Sequence, residues 1–126
     1  MCGIVGFVSS KPNEELINKL VHSIIHRGPD ESNYEILSFG NKYLHLGSSR
    51  LSITGINDGS MPMNNLNGDS IVFNGEIYEL SELKKSINSM SQTNNDTRYL
   101  FEFLSQNHPN DLYKINGMFA FAYFNR

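Results

Sequence analysis

The chain opens Met-Cys-Gly-Ile-Val-Gly-Phe-Val, an apolar, β-branched run that starts at the second residue. Residues 2–8 therefore read as a buried strand at the very start of the fold. Such a strand must find its partners and its cover in later elements. Glycines at 3 and 6 leave room for another backbone or a ligand to come close.

The first cover follows at once. Residues 13–26 place Leu16, Ile17, Leu20, Val21, Ile24 and Ile25 on one helical stripe. Asn13 can cap that helix, Glu14 and Glu15 sit where its dipole favours acids, and Gly28-Pro29 stops it. Segments 34–39 and 42–47 flank Gly40-Asn41 and read as a hairpin. Arg50 to Ile53 predicts a further short strand, and residues 55–69, rich in Gly, Asn, Asp and Pro, predict a loop. Ser70 to Tyr78 predicts a strand interrupted at Asn74-Gly75. Ser81 is placed to cap a helix through about Met90, with Leu83 and Ile87 inward. After a polar loop, Asp96 is placed to cap another helix carrying Leu100, Phe101 and Leu104. Residues 117–124 form a strongly apolar final strand. Groups of strands separated by helices, without an internal repeat, predict one α+β domain with sheets packed inside helices.

A length of 126 residues suits one domain with a modest core, and 39% hydrophobic with 18% charged residues suits a globular one. A net charge of −3 offers no basic patch for nucleic acid. No apolar run is long enough to cross a bilayer, and no signal pattern opens the chain, so a cytoplasmic protein is expected. The single cysteine excludes an internal disulfide and fits a reducing compartment. His22, His45 and His108 show no ligand spacing with one another or with Cys2, so no metal site is expected.

Several residues could carry chemistry. If Met1 is removed, Cys2 bears both a thiol and a free α-amine. An amine with a pKa of about 7.7–8.0 is partly neutral at pH 7 and can take the thiol proton without a histidine. A retained Met1 would leave an amide there, and a small thiol can also be merely buried. Asn74-Gly75 can aim a side-chain amide and a backbone N–H at one oxygen, as an oxyanion hole requires, although taken alone the pair reads first as a hairpin turn. Arg50 offers a planar fork for a carboxylate, although taken alone it reads better as a solvated or structural ion-pair arginine. Glu76 and Asp96 could bind an ammonium group, although taken alone each is more often a surface acid or, for Asp96, a helix cap. His26-Arg27-Gly28-Pro29-Asp30 reads as a structural helix stop.

Taken together, these pieces resemble one family. The opening Met-Cys-Gly-Ile-Val-Gly-Phe is similar to the N-terminus of class II glutamine amidotransferases. His-Arg-Gly-Pro-Asp at 26–30, Arg-Leu-Ser-Ile at 50–53, Asn-Gly-Glu-Ile-Tyr at 74–78, Asn-Asp-Thr at 95–97 and Gly-Met-Phe-Ala-Phe-Ala at 117–122 follow in the family's order. The forms at 26–30 and 74–78 resemble the asparagine-synthetase branch. The resemblance implies the αββα sandwich of N-terminal-nucleophile hydrolases. It implies Cys2 as nucleophile, with its amine as base, and Asn74 and Gly75 as the oxyanion hole. Arg50 would hold the α-carboxylate of glutamine, and Glu76 and Asp96 its α-ammonium. Leu51 and the backbone of Ile53 would lie close by. Glutamine would be hydrolysed to glutamate and ammonia through a γ-glutamyl thioester. The ammonia would pass to a synthetase domain or subunit, and ATP and Mg²⁺ would be needed only there, with no cofactor in residues 1–126.

Some positions depart from the family pattern. Glu79 stands where Asn is usual, and Asn95-Asp96-Thr97-Arg98 replaces Ser-Asp-Thr-Glu. Ile53-Thr54-Gly55 and Met61-Pro62-Met63 replace Ile-x-Asp and Gln-Pro-Met. These lie in loops that shape the pocket and bear on affinity more than on chemistry. The family's Arg-Asp-x-x-Gly-x-Lys-Pro-Leu segment does not occur, so the sandwich is expected to be the front portion of the domain, incomplete at its C-terminus and without the synthetase domain. Two alternatives stand beside an active glutaminase. One is a non-catalytic binding or assembly module, and the other is an N-terminal-nucleophile hydrolase of another amide.

Overall fold

The computed structural model describes residues 2–52, 59–85, 87 and 95–126. Strand β1 (Gly3–Ser9) pairs antiparallel with β3 (Lys42–Arg50), which pairs antiparallel with β2 (Glu31–Phe39) on its other side. A second antiparallel sheet runs β4 (Met63–Asn64), β5 (Ser70–Ile77), β6 (Gly117–Phe124). Both β1 and β3 pack on β5, so the sheets face each other. Helix α1 (Glu14–Ser23) lies on the first sheet, while α2 (Leu80–Lys85) and α3 (Asp96–Gln106) pack together, with α3 on β5. The layers are thus α, β, β, α, the expected sandwich. No helix among the described residues is long and apolar enough to cross a membrane.

Helix α1 starts as its sequence predicts, with Asn13 Oδ1 accepting the N–H of Leu16 at 3.0 Å. It ends earlier than the apolar stripe does. Only Ile17 and Val21 are fully buried on the first sheet, while Leu16 and Ile25 remain about two-fifths exposed. The backbone tightens after Ser23 into a 3₁₀ turn over Ile25–Arg27, which leaves Ile24 against Gly3 of β1 and turns Ile25 outward.

Two expected interruptions do not exist. Arg50 does not open a separate strand; it closes β3, because Glu31 of β2 pairs with it and Gly3 of β1 pairs with Ser49 just before it. Ile53 lies outside the described residues. Likewise β5 is not broken at Asn74-Gly75, because β6 pairs straight through, Asn74 with Ala120 and Gly75 with Phe119. The hairpin-turn reading of Asn74-Gly75 is therefore excluded. The true hairpin is the other one, where Phe39 and Lys42 close around Gly40-Asn41.

Asp96 does not cap α3. Asn95 does, accepting the N–H of Arg98 at 3.3 Å through Oδ1, and Asp96 is the first helical residue. Ser81 lies inside α2 rather than at its cap. The far end of the helix expected to reach Met90 lies outside the described residues. Ile71, Phe73 and Ile77 of β5 bury against Leu100, Phe101, Phe103 and Leu104 of α3, with Leu83 and Ile87 inward as expected. Each such large apolar side chain contributes about 1.5–3 kcal/mol on full burial.

Candidate active site

Strand polarity gathers the chemistry at one end of the sandwich. In the first sheet, β1 begins where β3 ends, since Gly3 faces Ser49, and β2 also begins there, since Glu31 faces Arg50. In the second sheet, β5 ends where β6 begins, with Glu76 opposite Met118. The first turn of α3 lies against the same end, where the carboxylate of Asp96 meets the N–H of Ile77 at 3.4 Å. A cleft of about 370 Å³ opens between these termini.

Cys2, Arg50, Leu51, Gly75, Glu76 and Asp96 all line that cleft. Cys2 is half-buried and packs against the core beneath it. Arg50 is 5% exposed. Its Nη1 donates to Glu31 Oε2 at 3.2 Å, so it is ion-paired as well as facing the cleft. Glu76 is solvent-exposed at the rim. Asn74 is not among the lining residues. By the alternation of a strand it shares a face with Ser70, whose hydroxyl crosses the sandwich to Glu35 of β2. Asn74 is nevertheless adjacent to Gly75, and its Oδ1 is buried without a hydrogen-bond partner among the described residues. A buried acceptor left that way costs about 1–3 kcal/mol.

Gly75 adopts φ +147° inside a paired strand, and a Cβ there would lie 2.2 Å from the carbonyl oxygen of Met118. Only glycine fits such a position. Asp96 is electrostatically uneasy. Burial pushes its carboxyl above the ordinary value and the nearby Glu76 charge adds to this, while backbone N–H groups of Ile77 and Thr97 only partly offset the rise. A carboxylate so placed gains from a cation brought into the cleft.

The segment read as a structural helix stop braces the Arg50 corner. Asp30 clamps both sides of Leu51, its N–H donating to Arg50 O at 3.1 Å and its Oδ2 accepting from Ser52 N at 2.7 Å. Ser49 Oγ donates to Gly28 O at 2.9 Å. A Cβ on Gly28 would lie 2.3 Å from the carbonyl carbon of Arg50, so the segment can sit this close only as glycine.

Sequence reasoning missed several wall residues, among them Met61, Phe73, Thr97 and Met118. It missed Glu31 as well. The apolar ones carry no chemical signal of their own. Glu31 becomes visible only through the cross-strand register that sets it opposite Arg50.

A family model described as Glutamine amidotransferase domain matches residues 1–126. The sequence is 34% identical over 136 aligned positions to asparagine synthetase (glutamine-hydrolyzing) 1 of Bacillus subtilis, covering 100% of this chain and 21% of that protein. It is 33% identical over 144 positions to a putative asparagine synthetase (glutamine-hydrolyzing) 2 of Methanocaldococcus jannaschii, covering 100% of this chain and 28% of the relative. It is 30% identical over 131 positions to asparagine synthetase B (glutamine-hydrolyzing) of Escherichia coli, covering 98% and 23%. The chain therefore spans between about a fifth and somewhat over a quarter of the length of these relatives. With the family model matched along its whole length, this chain belongs to the glutamine amidotransferase domain family.

Proposed function

We propose that this domain hydrolyses glutamine to glutamate and ammonia through a thioester on Cys2, and that it supplies the ammonia for asparagine-type amide synthesis. One observation carries the reading. A thiol, a buried guanidinium and two carboxylates meet around one cleft in a chain of this family. Glutamine presents a carboxylate, an ammonium and a side-chain amide. Arg50 takes the carboxylate, Glu76 and Asp96 take the ammonium, and the amide carbon comes to Cys2. Leu51 lines the cleft beside Arg50.

Removal of Met1 frees the α-amine of Cys2. That amine accepts the thiol proton as sulfur attacks the amide carbon. The oxygen becomes negative and is stabilised by the N–H of Gly75 and the side-chain amide of Asn74. The proton returns to the departing nitrogen, ammonia leaves, and the C–S bond of the thioester remains. Water then adds to the thioester, again giving its proton to the amine. The C–S bond breaks, and glutamate and the free thiol are restored. None of these steps uses a metal or cofactor, and ATP and Mg²⁺ belong with the ammonia acceptor. A thiol that must stay reduced fits a cytoplasmic setting.

Ammonia release from glutamine, measured together with intact mass, tests the proposal. Loss of Met1 with ammonia release, abolished by Cys2→Ala, is the expected result. Release that survives Cys2→Ala would overturn it.

A further inference from the structure

Arg50 is held from the side. Glu31 begins β2 directly opposite it, and the ion pair engages Arg50 Nη1 and Glu31 Oε2 at 3.2 Å. The two side chains are 7% and 28% exposed, so the contact is shielded from water on the arginine side. Glu31 is itself tied down. Asn33 Nδ2 donates to its Oε1 at 2.7 Å, and the Ser60 hydroxyl donates to it as well. Burial acts to raise the Glu31 carboxyl, but these hydrogen bonds and the Arg50 charge outweigh it and hold it below the ordinary value. It is therefore a carboxylate throughout the neutral range. Arg50 lines the cleft and Glu31 does not.

We infer that Glu31 is a positioning residue for substrate recognition: its fixed carboxylate sets the direction of the Arg50 fork so that the guanidinium meets the α-carboxylate of glutamine. This inference rests on the glutamine reading above. The physical reason is pre-organisation. An arginine side chain has many rotamers to lose, and a partner that freezes it before the substrate arrives removes that entropic cost from binding. Glu31 reaches the substrate only through Arg50, so its loss acts on ground-state binding and transition-state binding alike.

The experiment compares wild type, Glu31→Ala and Glu31→Gln with two ligands, glutamine and 4-aminobutanamide, which is glutamine without its α-carboxylate. Ammonia release provides kcat and KM, and ligand-dependent rise in Tm provides binding without turnover. In Glu31→Ala the KM for glutamine should rise about tenfold, as for loss of a charge-assisted contact, with kcat within about twofold. Its KM for 4-aminobutanamide should not change. Glu31→Gln, which keeps an acceptor without the charge and preserves the fold, should fall between wild type and Glu31→Ala. An unchanged glutamine KM in both variants would overturn the inference, as would equal losses for both ligands, which would mark general distortion. If wild type released no ammonia but Glu31→Ala still weakened the glutamine Tm response and spared that of 4-aminobutanamide, hydrolysis would fall and the positioning role would stand. Absence of both ammonia release and a Tm response to glutamine in wild type would overturn both readings.

Discussion

A carboxylate lies against each end of β5, Asp69 just before the strand and Asp96 from the start of α3, and the two are used in opposite ways. Before Ser70, Asp69 is 3% exposed and collects donors on both oxygens. Asn65 Nδ2 is at 2.7 Å, Arg126 N at 3.0 Å, Asn125 Nδ2 at 3.3 Å and Tyr123 OH at 3.4 Å. Beyond Ile77, Asp96 accepts from Thr97 N at 2.9 Å and more weakly from Ile77 N at 3.4 Å, and burial raises its pKa. A carboxylate offers about four acceptor sites. When the protein fills them, the group ties β6 to the turn before β5. When it leaves them short beside a cleft, the group is ready for a ligand cation.

That contrast can be broken in four ways. The largest expected effect is on stability. Asp69→Ala strands four donors and should lower unfolding free energy by about 3 kcal/mol, measured by urea denaturation, with glutamine KM unchanged where the variant is folded. Next, Asp96→Asn should do the reverse. It removes one charge-assisted contact to the substrate ammonium, worth about 2 kcal/mol, and should raise KM about thirtyfold without lowering Tm. If Asp69 moved KM and Asp96 moved Tm, the roles assigned to the two ends would be exchanged.

The pH dependence sharpens the same point. A carboxyl whose folded pKa is raised binds its proton more readily in the folded state. Charged Asp96 therefore costs stability above that pKa, and the cost vanishes as pH falls through it. Substrate binding runs the other way, because protonated Asp96 no longer attracts an ammonium. As pH drops through the range just above the ordinary carboxylate value, KM should climb, approaching about tenfold per unit, and Asp96→Asn should flatten that limb. The smallest effect concerns Glu79, just beyond β5, which holds φ +56° without being glycine. Asparagine tolerates this left-handed conformation better, so Glu79→Asn should raise unfolding free energy by about 0.5–1 kcal/mol. An unchanged denaturation midpoint would show that the backbone there is unstrained.

Much of the fold was legible because local patterns agree with tertiary context. The expected final strand coincides with β6, Gly117–Phe124. The hairpin around Gly40-Asn41 forms, and Asn13 caps α1. The misreadings share one cause. Asn74-Gly75 has the composition of a turn, Arg50 the sequence context of a strand start, and Asp96 that of a helix cap. Each was overruled by a neighbour distant in sequence or by the residue next door: β6 for Asn74-Gly75, β1 and β2 for Arg50, Asn95 for Asp96. Leu16 and Ile25 read as core because helical spacing says which side chains share a face, not how wide a face the sheet can cover.

The sequence by itself determined which chemical groups this protein brings to its cleft, because a thiol, a guanidinium and two carboxylates are properties of side chains and survive any misjudged boundary. It also determined the alternation of helix and strand, since hydrophobic periodicity is local. Only the tertiary structure decided which ends meet. Strand polarity and register set Cys2, Arg50, Gly75 and Asp96 at one end of the sandwich and Asp69 at the other. The same register set Glu31 against Arg50. Burial and donor count then made one aspartate an anchor and left the other short of partners. Those are properties of a carboxylate's surroundings, and no residue carries its surroundings in its name.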